Sequence, residues 1–125
     1  MKLKRFYGAL LVMVLAIGFL QSCKNKEPSV IKIFVRSASN ELLEGVKVVI
    51  IGDVNSNPPS NAYVDTLITN ASGFVSFNMK AYYDDAGDDV EIGYFDIVAK
   101  TNTETTLGYI RSRVHTTAVE TVYFD

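Results

Sequence analysis

The sequence has few of the residues that build covalent cross-links, metal centres and hydrolytic sites. It contains one cysteine, Cys23, and one histidine, His115, in 125 residues. A disulfide needs two cysteines, a zinc site needs several His or Cys ligands, and a hydrolase needs a base placed beside its nucleophile. We therefore expect a non-enzymatic protein held together by packing alone, with His115 in a loop or at a strand edge.

The chain also lacks a hydrophobic run long enough to span a membrane permanently. The uncharged run at 6–20 is 15 residues long and follows Lys2, Lys4 and Arg5. As a helix it would reach about 22 Å, whereas the hydrocarbon core of a bilayer is ~30 Å thick. This pattern predicts a secretion signal at 1–22 rather than an anchor helix.

The end of this apolar run carries a resemblance. Residues 20–23 (LQSC) resemble the lipobox of bacterial lipoproteins, which implies that Cys23 receives a diacylglyceryl thioether, becomes the N-terminus after cleavage, and is acylated again on its amine. One myristoyl chain binds only marginally at ~0.8 kcal/mol per buried CH₂, so two or three chains would hold the protein on a membrane persistently. The alternative is an ordinary secreted protein with a chance cysteine.

The charge balance of residues 23–125 excludes two classes of partner. Nine basic and 14 acidic side chains give a formal net charge of −5. Nucleic-acid binding requires clustered Lys and Arg, so we expect no nucleic-acid partner, and acyl chains rather than charge would attach the protein to a membrane. Residues 23–29 would form a short lipidated tether, about 20 Å long when extended, which favours a component of a membrane-bound assembly.

Residues 30–125 are expected to form one all-β domain. Apolar runs closed by turn residues predict seven strands, at 30–36, 46–51, 62–69, 74–79, 90–100, 106–111 and 118–125. No segment keeps helical apolar spacing for three turns, so we expect no helix after the signal segment. Seven short strands in about a hundred residues predict a single antiparallel β-sandwich.

Four of these strands place apolar residues on one face. The predicted sets are Ile31, Ile33 and Val35; Val46, Val48 and Ile50; Val75, Phe77 and Met79; and Phe95, Ile97 and Ala99.

Two segments resemble a known family. Residues 42–48 (LLEGVKV) are similar to the Pro-Leu-x-Gly-Ala-x-Val segment of carboxypeptidase regulatory-like domains. Residues 69–77 (TNASGFVSF) resemble the Thr-Asp-x-x-Gly-x-Phe-x-Phe turn and strand of the same family. The resemblance spans about residues 30–100 and implies a transthyretin-like, Ig-like sandwich without catalytic residues, serving as a folding, docking or adhesive module.

Small lipoproteins of Bacteroidetes carry such domains, and the chain resembles them. In that group an acidic stretch after the lipidated cysteine signals export to the cell surface. Here Lys24, Asn25 and Lys26 precede a single Glu27. The resemblance therefore implies a lipid-anchored position on the outer membrane that faces the periplasm rather than the cell surface.

An acidic segment is the best candidate for a metal site. Asp84, Asp85, Asp88, Asp89 and Glu91 offer the hard oxygen ligands that Ca²⁺ prefers, although they lack the spacing of an EF-hand. The alternative is a solvated acidic turn that limits aggregation. No cofactor other than a possible Ca²⁺ and the lipid on Cys23 is expected.

Two further features point to a protein partner. Tyr82, Tyr83 and Tyr123 are candidate interface aromatics, with half-buried core positions as the alternative. The strand at 118–125 ends the sequence and is a candidate edge strand for pairing with a partner, unless it is fully paired within its domain. We therefore expect an accessory or structural subunit that docks onto an outer-membrane protein assembly; the alternative is a Ca²⁺-dependent adhesion or glycan-binding module using the loops at 53–61 and 84–89.

Overall fold

The computed structural model describes residues 27–125, which form seven β-strands and one short α-helix. The elements are β1 Val30–Arg36, β2 Lys47–Gly52, β3 Val64–Ile68, β4 Phe74–Asn78, α1 Lys80–Ala86, β5 Ile92–Lys100, β6 Thr105–Arg113 and β7 Thr117–Tyr123. The prediction of seven strands is confirmed. The predicted signal at 1–22 and the lipid site at Cys23 lie outside the described residues.

The strands form two sheets in a sandwich-like arrangement. A three-stranded sheet has the order β4-β1-β7 and a four-stranded sheet has the order β3-β2-β5-β6. Alternate residues of each inner strand point into the space between the sheets, as the period of two requires. The four predicted apolar sets are all buried in this core, at 3% exposure or less.

One sheet is mixed, so the prediction of a wholly antiparallel sandwich is wrong. Strand β7 pairs with β1 in parallel, in a register that runs from Val30↔Thr117 to Arg36↔Tyr123. The other four pairings, β1–β4, β2–β3, β2–β5 and β5–β6, are antiparallel. Strands β1 and β7 are the first and last of the seven, so no turn between them sets their relative direction.

A second correction concerns the segment after β4, where no helix was expected. Residues Lys80–Ala86 form a two-turn α-helix that buries Tyr82 and Tyr83. Asn78 Oδ1 accepts a hydrogen bond from the Lys80 N–H at 3.0 Å, and Gly87, at φ 98°, donates its N–H to the Tyr83 carbonyl. A helix this short buries a single pair of residues, so it cannot display the three-turn apolar period used to recognise helices.

The chain enters the domain at one defined end of the sandwich. The Ser29 hydroxyl accepts a hydrogen bond from the His115 N–H at 2.7 Å, which places the start of β1 beside the β6–β7 connection. Ile92, the first residue of β5, pairs with Arg113 at this same end, and Lys100 lies at the opposite end of β5. We call these the entry end and the far end.

Candidate docking surface

The outer face of the four-stranded sheet carries a band of apolar side chains. The buried residues of β2 are Val48, Ile50 and Gly52, so Val49 and Ile51 point away from the core. The sheet register aligns outward residues of the other three strands with them. We call the resulting surface the open face, and its members are Val49, Ile51, Val64, Ile68, Val98, Leu107 and Tyr109.

The open face is well exposed to solvent. Leu107 is 73% exposed, Ile68 67% and Val64 66%, and Ile51 and Tyr109 are also exposed. Antiparallel sheets that face water on one side normally alternate apolar residues inside with polar residues outside. Two polar residues share this face: Thr66 lies beside Val49, and the exposed Asp96 lies between Ile51 and Tyr109. Large exposed apolar surfaces, especially those bordered by polar residues, typically mark interaction sites.

Two lysines face each other at the far end of the open face. Lys47 is directly opposite Lys100 in the register of β2 and β5, and both side chains are exposed. Like charges directly opposite on neighbouring strands are destabilising. Neither lysine forms an ion pair or side-chain hydrogen bond with any residue in 27–125, although Glu44 lines the same cavity as both of them.

The entry end of the open face is polar and internally bonded. The Tyr109 hydroxyl donates a hydrogen bond to Asp53 Oδ2 at 2.7 Å, and its ring stacks on Tyr94 with centroids 6.1 Å apart. The hydrogen bond to Asp53, followed by desolvation, raises the pKa of Tyr109 to about 12. Tyr109 is therefore neutral and fixed in orientation near neutral pH.

The outer face of the three-stranded sheet is arranged differently. The Lys32 Nζ lies 4.2 Å from the centroid of the Phe74 ring and 5.1 Å from that of Phe34, and the two rings contact each other at 5.5 Å. Lys32, Phe34 and Phe74 are all half-buried. This cation–π cluster covers its own apolar surface within the domain.

The three tyrosines predicted to bind a partner occupy different environments. Tyr82 and Tyr83 are buried, at 2% and 7% exposure, and the Tyr83 hydroxyl donates to the Ser112 hydroxyl at 2.9 Å. Desolvation by burial raises the pKa of Tyr83. Both rings pack in the core, as the alternative reading of these tyrosines expected, and their role in binding a partner stays a prediction. Tyr123 is 53% exposed, at the end of β7.

The five acidic residues predicted to bind Ca²⁺ are split between different local structures. Asp84 and Asp85 lie in α1, Asp88 and Asp89 in the following turn, and Glu91 just before β5. Asp84 pairs with Lys80 one helical turn away. Within residues 27–125, no three or more His, Cys, Asp or Glu side chains are grouped to hold a metal ion. The calcium site stays a prediction.

The last strand is an edge strand, as one of the two sequence readings expected. Strand β7 pairs with β1 on one side only. Glu120 is aligned with the fully buried Ile33, so its charge points toward the core side at this edge. Inward-pointing charges protect edge strands from pairing with other chains. The Thr106 hydroxyl also donates to the Tyr123 carbonyl at 2.8 Å and occupies one outward backbone acceptor of β7.

Sequence reasoning missed the open face because it treated apolar strands as core strands. In the run VKVVII at 46–51, alternation predicts Val46, Val48 and Ile50 as core residues and assigns no role to Val49 and Ile51. The signal was present: β2 and β5 each carry apolar residues on both faces, which in a two-layer sandwich places one set outside.

Comparisons with known proteins identify no family for this chain. No protein-family model matches the chain, and no curated protein is significantly similar to it. Within residues 27–125 no helix has the length and apolar character needed to cross a membrane.

Proposed function

We propose that this chain is a non-enzymatic, lipid-anchored accessory or structural subunit that docks onto an outer-membrane protein assembly through its open face. The observation that carries the proposal is the apolar band across all four strands of the larger sheet, where Leu107, Ile68 and Val64 are each more than 60% exposed. Covering such a surface would gain roughly 25 cal/mol per Å² of apolar area removed from water. A partner protein of the same membrane is the natural source of that cover.

The finer assignment to transthyretin-like sandwiches of the carboxypeptidase regulatory-like kind is part of this proposal. Gly45 and Gly73, the glycines of the two resembling segments, have φ of 80° and 74°, a conformation that favours glycine. A Cβ added at Gly73 would lie 2.7 Å from the Leu42 Cβ, so the two segments meet at this glycine. The positive φ of both glycines supports this assignment, because the family pattern has a glycine at each of these positions.

The anchor and location complete the proposal. Cys23 carries the lipid, residues 24–29 are the tether, and the domain faces the periplasm from the outer membrane. Because β1 starts beside the β6–β7 connection, the tether leaves the domain at the entry end. The strands that carry the open face run from this end to the far end. A surface in this position is accessible to a neighbouring membrane protein.

The test compares one substitution on each outer face of the full-length, lipidated chain. Leu107→Glu places a charge on the open face, at its β6 edge, and Val119→Glu places the same charge on β7, where Val119 is 57% exposed. Affinity purification from detergent-solubilised membranes should recover a stoichiometric membrane protein with the wild type and with Val119→Glu, and should lose it with Leu107→Glu. Recovery of free lipoprotein alone from the wild type would contradict the proposal.

A further inference from the structure

The paired lysines at the far end define what the partner must present to the open face. Lys47 and Lys100 are directly opposite each other on adjacent central strands. On the same outer face, one step toward the entry end, Val49 is directly opposite Val98. Two positive charges thus lie at the border of the apolar band, without an ionic partner among residues 27–125.

A cavity lies beside this lysine pair. Its volume is about 500 Å³, and Lys47 and Lys100 line it together with Glu44, Gly45, Val46, Thr101 and Asn102. Lys47 and Lys100 extend from regular strands, whose backbone hydrogen bonds fix the spacing between them. The site therefore places two lysines, whose Cα atoms are paired across the ladder, beside one carboxylate, that of Glu44, and beside the polar side chains of Thr101 and Asn102. Its formal charge is one positive unit.

We infer that the partner covers the open face with an apolar segment that carries a carboxylate, which binds between Lys47 and Lys100. This inference rests on the proposed docking function. The carboxylate is that of an Asp or Glu side chain or of a chain terminus. An anion between the two ammonium groups attracts both and so offsets their mutual repulsion, and desolvation by the adjacent apolar contact strengthens the attraction.

A second copy of the chain does not supply this carboxylate well. If two open faces pack with their strands in the same direction, the lysine pairs meet each other. If the strands are opposed, the lysines meet the part of the face that carries Asp96 and Asp53, where Arg111 and Arg113 lie on the same side of β6 and repel them. The first arrangement brings no anion to the lysines, and the second brings Asp96 together with two cations.

A lipid headgroup is also a poorer match than a protein carboxylate. Strand β5 has nine residues and is about 30 Å long, and the lysine pair lies at its far end. The tether leaves from the entry end, so an anchored domain holds these lysines at the end remote from its attachment. The open face itself is mainly Val, Ile and Leu, whose short side chains suit close packing against another protein surface.

The experiment uses the full-length, lipidated chain in its own membrane. A photoreactive benzoylphenylalanine replaces Leu107, or Val119 as the matched control, and the cross-linked peptide is identified by mass spectrometry. We expect position 107 to cross-link an apolar protein segment that contains a carboxylate. We expect position 119 to give no adduct with that segment.

Charge reversal then tests the role of the lysines. The double variant Lys47→Glu, Lys100→Glu should lower the yield of the position-107 adduct by about tenfold or more, and Lys47→Arg, Lys100→Arg should retain it. Replacing the partner's carboxylate residue by lysine should restore the adduct to the charge-reversed chain. If the lysines only maintained the fold of the domain, this change in the partner would not restore the adduct.

The alternative outcomes separate this inference from the proposed function. If charge reversal does not change the yield of a protein adduct at position 107, no partner carboxylate binds the lysines. The inference is then wrong, and the proposed docking function still stands. Adducts with lipid alone would show that the membrane covers the open face. Adducts with a second copy of the chain would show that a dimer contact covers it. Either result overturns the inference. Equal adducts from positions 107 and 119 would overturn the docking function as well.

Discussion

Lysines on the two outer faces of the sandwich have opposite energetic roles. Lys32, on the three-stranded sheet, lies over the rings of Phe34 and Phe74 and stabilises the domain. Lys47 and Lys100, on the four-stranded sheet, are directly opposite each other and repel. The same residue type is thus expected to support the fold on one face and to cost stability on the other, as the proposed contact outside the domain requires.

The two outer faces also differ in how far their apolar side chains are exposed to solvent. On the three-stranded sheet, Phe34 and Phe74 are half-buried by each other and by Lys32. On the four-stranded sheet, Leu107 and Ile68 remain 73% and 67% exposed. The aromatic rings of the first face are covered within the domain, although Val119 and Tyr123 are exposed on the same face. Under the proposed function, a partner covers the second face.

The largest expected effect separates core residues from open-face residues. Phe77→Ala removes a fully buried side chain and should lower the free energy of unfolding by about 3–5 kcal/mol. Leu107→Ala, at a 73% exposed position, should change it by less than about 0.5 kcal/mol. Urea unfolding of residues 27–125 measures both. A loss above about 2 kcal/mol for Leu107→Ala would show that the open face contributes to folding rather than to docking.

The lysine comparison gives a smaller effect with opposite signs. Lys32→Ala loses the cation–π contact and should destabilise the domain by about 0.5–1 kcal/mol. Lys47→Glu converts a like-charge pair with Lys100 into an attractive one and should stabilise it by about 0.2–1 kcal/mol. The same unfolding measurement distinguishes them. Destabilisation by Lys47→Glu would mean that Lys47 already has a stabilising role within the domain.

The smallest expected effect concerns the polar end of the open face. Tyr109 has a pKa of about 12 because its hydroxyl donates to Asp53, against an ordinary value of 10.0. Its neutral form is favoured in the folded state, so this contribution to stability is complete below about pH 10 and is lost as the pH rises toward about 12. Asp53→Asn should return the pKa of Tyr109 toward its ordinary value, as followed by NMR titration of the tyrosine rings. The amide oxygen of Asn can still accept the hydrogen bond that Asp53 Oδ1 takes from the Asn55 N–H, so the local turn should persist.

An unchanged Tyr109 titration in Asp53→Asn would contradict the assigned cause. In that case desolvation, rather than the hydrogen bond, would hold the hydroxyl neutral.

Local alternation predicted the core because burial in a sandwich follows a period of two. Ile31, Ile33 and Val35 are fully buried as that period requires. The parallel pairing of β1 with β7 was beyond such reasoning, because it depends on contacts between the two ends of the sequence. The helix at Lys80–Ala86 was missed because tertiary burial of Tyr82 and Tyr83, rather than a helical period, favours it.

The candidate site shows the same limit more clearly. The sequence names Val49, Val98 and Leu107 as apolar, but only the register places them in one row on an outer face. Lys47 and Lys100 are 53 positions apart in the sequence and become neighbours through the β2–β5 ladder. Long-range strand pairing, which no local pattern specifies, creates the surface.

Cysteine accessibility of the two outer faces tests the docking surface most directly. Leu107→Cys and Val119→Cys each add one thiol to a chain whose single native cysteine is Cys23, and reaction with a soluble maleimide is followed in intact isolated membranes and in purified protein. We expect position 107 to react slowly in membranes and rapidly in purified protein, and position 119 to react rapidly in both. Equally rapid reaction of position 107 in membranes and in purified protein would contradict a covered open face.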